Sequence, residues 1–206
     1  MLYAILDTGY ADPDTWPELA EQLIAGGVGI MQIRAKQSTE EEIITWTQRV
    51  HMTTRAHKVP LILNDYPHLV PITGAEGAHI GQDDMQVSEA RQLAGAEKII
   101  GKSTHSLDQV KATAREKPDY IGFGPLFATP TKPTYVPIGL EDIDAAHELI
   151  DVPVYCIGGI KQENLPKVVE HGARNVVIVS GLLTAESPRA YAEACGHILH
   201  SGSGAA

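Results

Sequence analysis

Residues 61–84 read LILNDYPHLVPITGAEGAHIGQDD, a stretch in which two short apolar runs each end directly in polar side chains. The first run leads into Asn64 and Asp65, and the second leads into residues 81–84, which include two more aspartates. The same change from apolar to polar residues occurs six times along the chain. In a parallel α/β barrel the carboxyl ends of all strands lie on one rim, and that rim carries the chemistry. The pattern therefore predicts one bowl containing carboxylates and cations, which suits a metal-assisted reaction of a phosphorylated substrate.

Short apolar runs alternate with longer amphipathic segments over the whole chain. Strands are predicted at 2–6, 28–33, 61–63, 77–80, 99–101, 120–123, 154–157 and 176–179, with helices beginning near 14, 39, 66, 88, 106, 140, 162 and 188. Nearly continuous apolar character is typical of parallel strands that helices cover. The alternation predicts one (β/α)8 TIM barrel with parallel strands over residues 1–200. A doubly wound sheet is the alternative, but no G-x-G-x-x-G motif follows the first strand.

Two segments are expected to depart from a regular barrel. Residues 66–73 are short and contain two prolines, which predicts a stunted third helix. Residues 201–206 are small and polar, which predicts a disordered tail.

Composition limits the class of protein. The chain has 16 Lys and Arg residues against 26 Asp and Glu residues, a formal net charge of −10, which makes a nucleic-acid partner unfavourable. No apolar stretch approaches the ~20 residues that cross a bilayer, so no membrane association is expected. Cys156 and Cys195 form no disulfide framework and are interpreted as buried free thiols. These features predict a cytoplasmic protein. Barrels of this size often pair, which leaves a homodimer as one option for assembly.

Asp65 and Asp84 each follow an apolar run, on strands expected to be neighbours. Neighbouring strand ends lie ~5 Å apart, so two carboxylates there repel each other unless a cation lies between them. Mg²⁺ typically takes one or two carboxylates together with phosphate oxygens. The pair is therefore a candidate magnesium site, with Asp83 as a weaker candidate. The alternative is that these aspartates cap the helices that follow.

Gln32, Arg34 and Lys36 alternate along the end of the second predicted strand, so their side chains point to one side together. Charged side chains that face the inside of a barrel rim need an anionic partner. Arg can bind phosphate oxygens with its forked guanidinium, and Lys can act as a mobile point charge. The three residues are candidates for binding a phosphorylated substrate. A solvated strand edge is the alternative.

Residues 122–133 read GFGPLFATPTKP and form a long loop after the sixth predicted strand. Gly122 and Gly124 allow a close approach of the backbone to a ligand. The loop offers hydroxyl groups and one ammonium group that suit diphosphate oxygens: Thr129, Thr131 and Lys132. The loop extends to about residue 137, long enough to close as a lid, although an ordered proline-rich connector remains the alternative.

Glycine turns follow the last two predicted strands. Gly158-Gly159 and Ser180-Gly181 occupy the positions of the usual phosphate site of this fold, where backbone N–H groups bind a phosphate monoester. After the fifth strand, Ser103 is a candidate for hydrogen bonding to substrate. His105 there is as consistent with a structural role as with a functional one, and His79 is left without a role. No nucleophile–base arrangement or zinc-binding spacing is persuasive.

Taken in order, these motifs resemble the thiamine phosphate synthase family over almost the whole chain, from Tyr3 to about Gly181. The resemblance implies a TIM-barrel transferase that joins 4-amino-2-methyl-5-hydroxymethylpyrimidine diphosphate to a thiazole phosphate, giving thiamine phosphate and pyrophosphate. The motifs that carry it are Gln32-x-Arg34-x-Lys36, Asn64-Asp65, Gly77-x-His79-x-Gly81-Gln82-x-Asp84, Gly101-x-Ser103-x-His105, Asp119-Tyr120-x-Gly122-x-Gly124-Pro125, Thr129-x-Thr131-Lys132, Ile157-Gly158-Gly159-Ile160 and Val179-Ser180.

The resemblance also implies a role for each matching residue. Mg²⁺ bridges the diphosphate to the acids that match Asp65 and Asp84. The positions that hold the pyrimidine diphosphate match Gln32, Arg34, Lys36, Asn64, Ser103 and Lys132. The positions that hold the thiazole phosphate match Thr129, Thr131, Gly159, Val179 and Ser180, which differs from the diphosphate role that the loop composition suggests for the two threonines. The catalytic group implied is Arg34, Lys36, Lys132 and Ser103.

Two other functions are compatible with the sequence. A thiazole tautomerase shares this fold and much of the signature, but such proteins resemble this chain with a His where Pro125 stands, and they lose parts of the diphosphate site. A non-catalytic protein that binds thiamine phosphate is the second alternative, although no effector or DNA-binding segment is visible.

Overall fold

The computed structural model describes residues 1–129 and 136–202. Eight strands form a closed barrel in the order β1-β2-β3-β4-β5-β6-β7-β8, and every neighbouring pair is parallel, including β1 with β8. The predicted barrel is therefore confirmed. The strands are β1 Leu2–Asp7, β2 Val28–Arg34, β3 Leu61–Asn64, β4 Gly77–Ile80, β5 Ile99–Thr104, β6 Tyr120–Phe123, β7 Val154–Cys156 and β8 Asn175–Ile178.

β4 and β6 have the predicted bounds, and the ends of the other six strands differ by one to three residues from the prediction. β5 continues through Lys102, Ser103 and Thr104 because these polar residues pair with Ile121, Gly122 and Phe123 of β6. Conversely, β7 and β8 stop before Ile157 and Val179, although both residues are apolar. Strand length is thus set by backbone pairing with the neighbour, and the apolar run gives only an approximate guide.

Helices lie between the strands and cover the barrel. They are α1 Trp16–Ala25, α2 Glu40–Ala56, α3 Val70–Thr73, α4 Val87–Ala94, α5 Leu107–Glu116, α6 Ile143–Glu148, α7 Leu165–Glu170, α8 Ser180–Leu183 and α9 Pro188–Gly202. α2 begins with a capping box, in which Thr39 accepts from the Glu42 backbone and the Glu42 side chain accepts from the Thr39 backbone. None of the helices in the described ranges combines the length and apolar character that a membrane crossing requires.

Three helical features bear on the sequence predictions. The third helix is stunted as predicted, with only four residues after a 3-10 turn. A short helix, α8, follows β8 directly and was not predicted. α9 extends to Gly202 and so includes the first two residues of the predicted tail, where the Ser201 hydroxyl donates to the carbonyl of His197. Residues 203–206 lie outside the described residues.

The apolar core has two parts. The larger part lies between the barrel and the helices and includes Trp16, Met31, Ile33, Leu63 and Phe123. The smaller part fills the barrel interior and consists of Tyr3, Ile5, Ile30, Ile62, Tyr120, Tyr155 and Val177. Three tyrosines therefore lie inside the barrel, directly below the rim that carries the predicted site.

Candidate active site

A cavity of about 220 Å³ is formed by residues of β1, β2 and β4 to β8 together with the loops after β6, β7 and β8. It brings together predicted site residues that are far apart in the sequence. Those in its lining are Gln32, Arg34, Ser103, Thr129, Gly159, Val179 and Ser180. Four other predicted residues lie in the neighbouring βα segments without lining the cavity: Lys36, Asn64, Asp65 and Asp84. Thr131 and Lys132 lie outside the described residues.

Arg34 is held by a residue that the sequence reasoning missed. Asp7, the last residue of β1, pairs with Arg34 on β2, and its Oδ2 lies 2.5 Å from Arg34 Nη1. The other oxygen, Oδ1, accepts from the backbone N–H of Gly9 at 2.8 Å. The Asp7 side chain is 3% exposed and that of Arg34 is 14% exposed, so water screens the pair little. Asp7 therefore fixes the guanidinium at the mouth of the cavity.

Lys36 and Asp65 form an open ion pair on neighbouring strand ends. Lys36 Nζ lies 3.6 Å from Asp65 Oδ2, and the two side chains are 55% and 30% exposed. Asp65 has a left-handed backbone with φ of 68°, and its N–H donates to the carbonyl of His79 on β4. The β3–β4 pairing thus fixes the backbone that carries this carboxylate at the rim.

Asp84 lies in the loop after β4, where its Oδ2 accepts from the backbone N–H of Gly81 at 2.6 Å. The helical turns that follow β3 and β4 have Tyr66 and Gln86 at their N-caps. Neither Asp65 nor Asp84 therefore occupies an N-cap position. Among residues 1–129 and 136–202, no three or more His, Cys, Asp or Glu side chains are grouped so that they could hold a metal ion.

The glycine turn after β7 supports the loop after β6. Gly158 and Gly159 have φ of 99° and 66°, which side chains rarely adopt. A Cβ on Gly159 would lie 2.7 Å from Phe127 Cβ and 2.8 Å from the carbonyl oxygen of Ala128. Phe127 N–H also donates to the Gly158 carbonyl at 3.0 Å. Two glycines are required here because the loop that carries Thr129 lies directly against them.

A continuous hydrogen-bonded series crosses the barrel interior, and we call it the interior network. Gln32 Nε2 donates to the Tyr3 hydroxyl at 2.7 Å, and the Tyr3 and Tyr120 hydroxyls are 3.0 Å apart. His79 Nδ1 lies 3.0 Å from the Tyr120 hydroxyl, and His79 Nε2 lies 2.9 Å from Ser103 Oγ. The network therefore connects two predicted substrate-binding residues, Gln32 and Ser103, through three side chains that had no predicted role.

Neither cysteine is placed for nucleophilic catalysis. Both thiols are free and buried, as predicted, and burial raises the pKa of Cys156 and of Cys195 to about 12. At neutral pH both are therefore protonated and unreactive. His105 lines the cavity and its Nδ1 donates to the carbonyl of Gly124, which holds the start of the loop after β6.

Known proteins resemble this chain in sequence along almost its full length. A family model described as thiamine monophosphate synthase matches residues 2–182. The thiamine-phosphate synthase of Chloroflexus aurantiacus is 36% identical over 192 residues, which cover 93% of this chain and 88% of that protein. The thiamine-phosphate synthase of Thermus thermophilus is 39% identical over 175 residues, which cover 84% of each.

Solved structures show the same relationship. The thiamine phosphate pyrophosphorylase from Pyrococcus furiosus superposes with a TM-score of 0.88 at 26% identity, covering 98% of this chain and 96% of that one. The 3-hexulose-6-phosphate synthase from Salmonella typhimurium superposes with a TM-score of 0.74 at 14% identity, covering 98% and 99%. The second likeness concerns the fold alone, because similar barrels serve unrelated reactions.

Proposed function

The chain belongs to the thiamine monophosphate synthase family, with the transferase activity of a thiamine-phosphate synthase, and from that premise we propose how its residues carry out the reaction. The substrates are 4-amino-2-methyl-5-hydroxymethylpyrimidine diphosphate and a thiazole phosphate, and the products are thiamine phosphate and pyrophosphate. One observation carries this proposal. A single cavity is lined both by the cation Arg34 and by the glycine turn at Gly159, so two phosphorylated molecules can meet there.

Arg34 and Lys36 bind the diphosphate. The Arg34 guanidinium faces the cavity in an orientation set by Asp7, and a fixed fork of donors suits diphosphate oxygens. Lys36 is half-exposed and paired only loosely with Asp65, so its ammonium can move to meet the substrate. Lys132 belongs to this group by the family resemblance alone, since it lies outside the described residues.

Asp65 and Asp84 are the residues that would hold Mg²⁺. They supply hard oxygen donors from neighbouring βα segments, and neither occupies an N-cap position. Two carboxylates are enough for an ion that takes its remaining ligands from phosphate and water. When bound, Mg²⁺ supplies charge neutralisation for the departing pyrophosphate.

The reaction requires positioning and charge neutralisation more than a strong base. The bond between the pyrimidine methylene carbon and the diphosphate oxygen breaks, and its electron pair leaves with pyrophosphate. The resulting cation is stabilised by the electron-rich aminopyrimidine ring. The lone pair of the thiazole nitrogen then forms the new C–N bond. Gln32 and Ser103 hold the pyrimidine ring, and Arg34 and Lys36 stabilise the charge on the leaving group.

The thiazole phosphate binds at the turns after β7 and β8. Gly159, Val179 and Ser180 line the cavity there, and Thr129 lines it from the loop that lies on Gly159. The N–H groups of Leu182 and Leu183 donate to the Val179 carbonyl, so the backbone N–H groups that can bind phosphate oxygens here are those of Ser180 and Gly181. Thr131 has the same role by the family resemblance alone.

Replacing Gly159 with alanine is expected to raise KM for the thiazole phosphate about tenfold, because the added methyl group displaces the loop that carries Thr129. The left-handed backbone adds roughly 1 kcal/mol of strain. Gly196→Ala is the matched control, since a Cβ there meets nothing within 4 Å. Steady-state kinetics with the thiazole phosphate varied would show the effect. An unchanged KM in Gly159→Ala would contradict the assignment of this turn.

Neither alternative function is favoured. The relatives named above are synthases, and Pro125, which lines the cavity, offers no imidazole to transfer a proton for a tautomerase.

The remaining features of the assignment are proposals of the same kind. Residues 1–200 form the catalytic domain, and a homodimer is one option for assembly. Two buried thiols suit a reducing compartment such as the cytoplasm.

A pyrophosphate-release assay tests the reaction directly. With Mg²⁺ and both substrates present, the protein is expected to release pyrophosphate and form thiamine phosphate in equal amounts. Omission of either substrate is expected to abolish thiamine phosphate formation. Isomerisation of a thiazole phosphate without any pyrophosphate release would instead support the tautomerase.

A further inference from the structure

The interior network has a direction, which follows from the donors and acceptors that compose it. Gln32 Nε2 can only donate, so the Tyr3 oxygen accepts from it. Tyr3 is 1% exposed, and among the described residues its hydroxyl meets only Gln32 and Tyr120. A buried hydroxyl proton left unpaired is costly, so the Tyr3 hydroxyl donates to Tyr120.

The direction continues to the opposite end of the network. The Tyr120 hydroxyl has accepted from Tyr3, so its own proton goes to His79 Nδ1. His79 is then a neutral imidazole with its proton on Nε2, and this proton is donated to Ser103 Oγ. The hydroxyl protons of Tyr3 and Tyr120 and the imidazole proton of His79 each have an acceptor in this arrangement, as buried polar groups require.

The two ends of the network therefore present opposite hydrogen-bonding character to the cavity that both residues line. Gln32 turns its amide nitrogen, which carries two N–H groups, toward the Tyr3 and Tyr120 hydroxyls. Its amide oxygen is the acceptor that remains for a ligand. Ser103 has accepted from His79 and keeps its hydroxyl proton to donate. A ligand edge with a donor beside an acceptor matches this pair.

We propose that the interior network is a specificity device, in which Tyr3, Tyr120 and His79 fix Gln32 as an acceptor and Ser103 as a donor. This inference depends on the proposed function. A 4-aminopyrimidine has an amino group beside a ring nitrogen, so its amino group donates to Gln32 and its ring nitrogen accepts from Ser103. The 4-oxo analogue has a carbonyl beside a ring N–H. Its carbonyl oxygen would face the amide oxygen of Gln32, and its N–H would face the hydroxyl proton of Ser103. Tyr3, Tyr120 and His79 are positioning residues.

The packing around the network holds it in one geometry. A Cβ on Gly101 would lie 2.0 Å from Tyr120 Cζ. The Tyr120 ring therefore fits here only because residue 101 has no side chain. The imidazole of His79 stacks on the Tyr120 ring, with 5.5 Å between their centroids and an angle of 26°. Burial also raises the pKa of both Tyr3 and Tyr120, so both hydroxyls keep their protons. These constraints prevent the side chains from rotating to suit the analogue.

The test compares the dissociation constants of the 4-amino and 4-oxo pyrimidine diphosphates, measured without the thiazole phosphate so that the different reactivity of the two rings does not contribute. The parent protein is expected to prefer the amino substrate ~100-fold, because a mismatched polar site leaves buried groups unpaired. Tyr120→Phe removes one hydroxyl from the middle of the network and is expected to reduce that preference to about tenfold or less, with KM for the thiazole phosphate unchanged.

Tyr155→Phe is the matched control. Tyr155 contacts Tyr3 and Tyr120 ring to ring, but its hydroxyl donates to Met1 Sδ and is not part of the network. This variant is expected to keep the full preference for the amino substrate. An equal loss in both variants, or an unchanged preference in Tyr120→Phe, would overturn the proposal.

A second measurement applies to the unmodified protein, so it does not depend on whether Tyr120→Phe folds. The ¹⁵N chemical shifts of His79, assigned by comparison with His79→Gln, are expected to show a bare Nδ1 and a protonated Nε2. A proton on Nδ1 would reverse the network and refute it. Failure of the proposed function is distinguishable, because the parent protein would then not turn over the amino substrate at all.

Discussion

Replacing Arg34 with alanine is expected to lower kcat/KM for the pyrimidine diphosphate ~100-fold, which corresponds to ~3 kcal/mol of transition-state stabilisation. The guanidinium lines the cavity and is positioned before the substrate arrives, because Asp7 holds it through a nearly buried ion pair. Its contribution grows as negative charge develops on the leaving pyrophosphate. Single-turnover measurements at saturating substrate would show the loss in the chemical step.

Asp7 acts through Arg34, and a double-mutant cycle tests that relationship. Asp7→Asn keeps the size of the side chain and is expected to lower kcat/KM about tenfold. In the Arg34→Ala background the same change is expected to have little further effect. The ion pair between Arg49 and Asp14 is the control, because it has a similar distance of 2.7 Å but is exposed. Arg49→Ala should leave the kinetics unchanged, and independent effects of Asp7 and Arg34 would contradict the assigned role of Asp7.

Removal of divalent cations with EDTA is expected to lower turnover ~100-fold or more, and added Mg²⁺ should restore it. Asp65→Asn and Asp84→Asn are expected to raise the Mg²⁺ concentration for half-maximal activity about tenfold or more, because each loses a charged oxygen ligand. Asparagine also tolerates left-handed backbone, so Asp65→Asn keeps the conformation seen at φ of 68°.

Asp83 provides the control for this experiment. It is exposed, it neighbours Asp84 in the chain, and it carries the same charge. Asp83→Asn should therefore leave the Mg²⁺ dependence unchanged. A similar rise in the required Mg²⁺ concentration in Asp83→Asn and Asp84→Asn would show that both changes act through a general loss of negative charge. Undiminished turnover in EDTA would show that Asp65 and Asp84 have another role.

The barrel was predictable because its eight strands are short, apolar and regularly spaced. Burial on both faces leaves a clear signal in the sequence at runs such as 61–63 and 154–157. Helix starts were less clear. α6 and α7 begin at Ile143 and Leu165, three residues after the predicted positions in each case. Local propensity does not show which polar residues remain in the preceding turn, and α8 is too short to produce a periodic pattern.

The candidate site was predictable only where a residue follows an apolar run. Arg34, Ser103 and Ser180 have that signal, and the cavity brings them together. Asp7 also follows an apolar run directly. Its role depends on its pairing with Arg34, which is set by the register of β1 and β2. Tyr3 and Tyr120 lie within apolar runs and give no separate signal. Their hydroxyl partners depend on contacts between strands that are far apart in the sequence.

The interior network also has a consequence for how the barrel assembles. Its five members come from β1, β2, β4, β5 and β6, and each hydrogen bond joins two different strands. If any of these strands shifted along its neighbour, a hydroxyl, amide or imidazole would be enclosed without a partner, at about 1–3 kcal/mol for each group. Hydrophobic burial alone would tolerate a shift by two residues, because each side chain would still point to the same face of the sheet. The polar residues at the centre of this protein thus penalise misaligned sheets during folding.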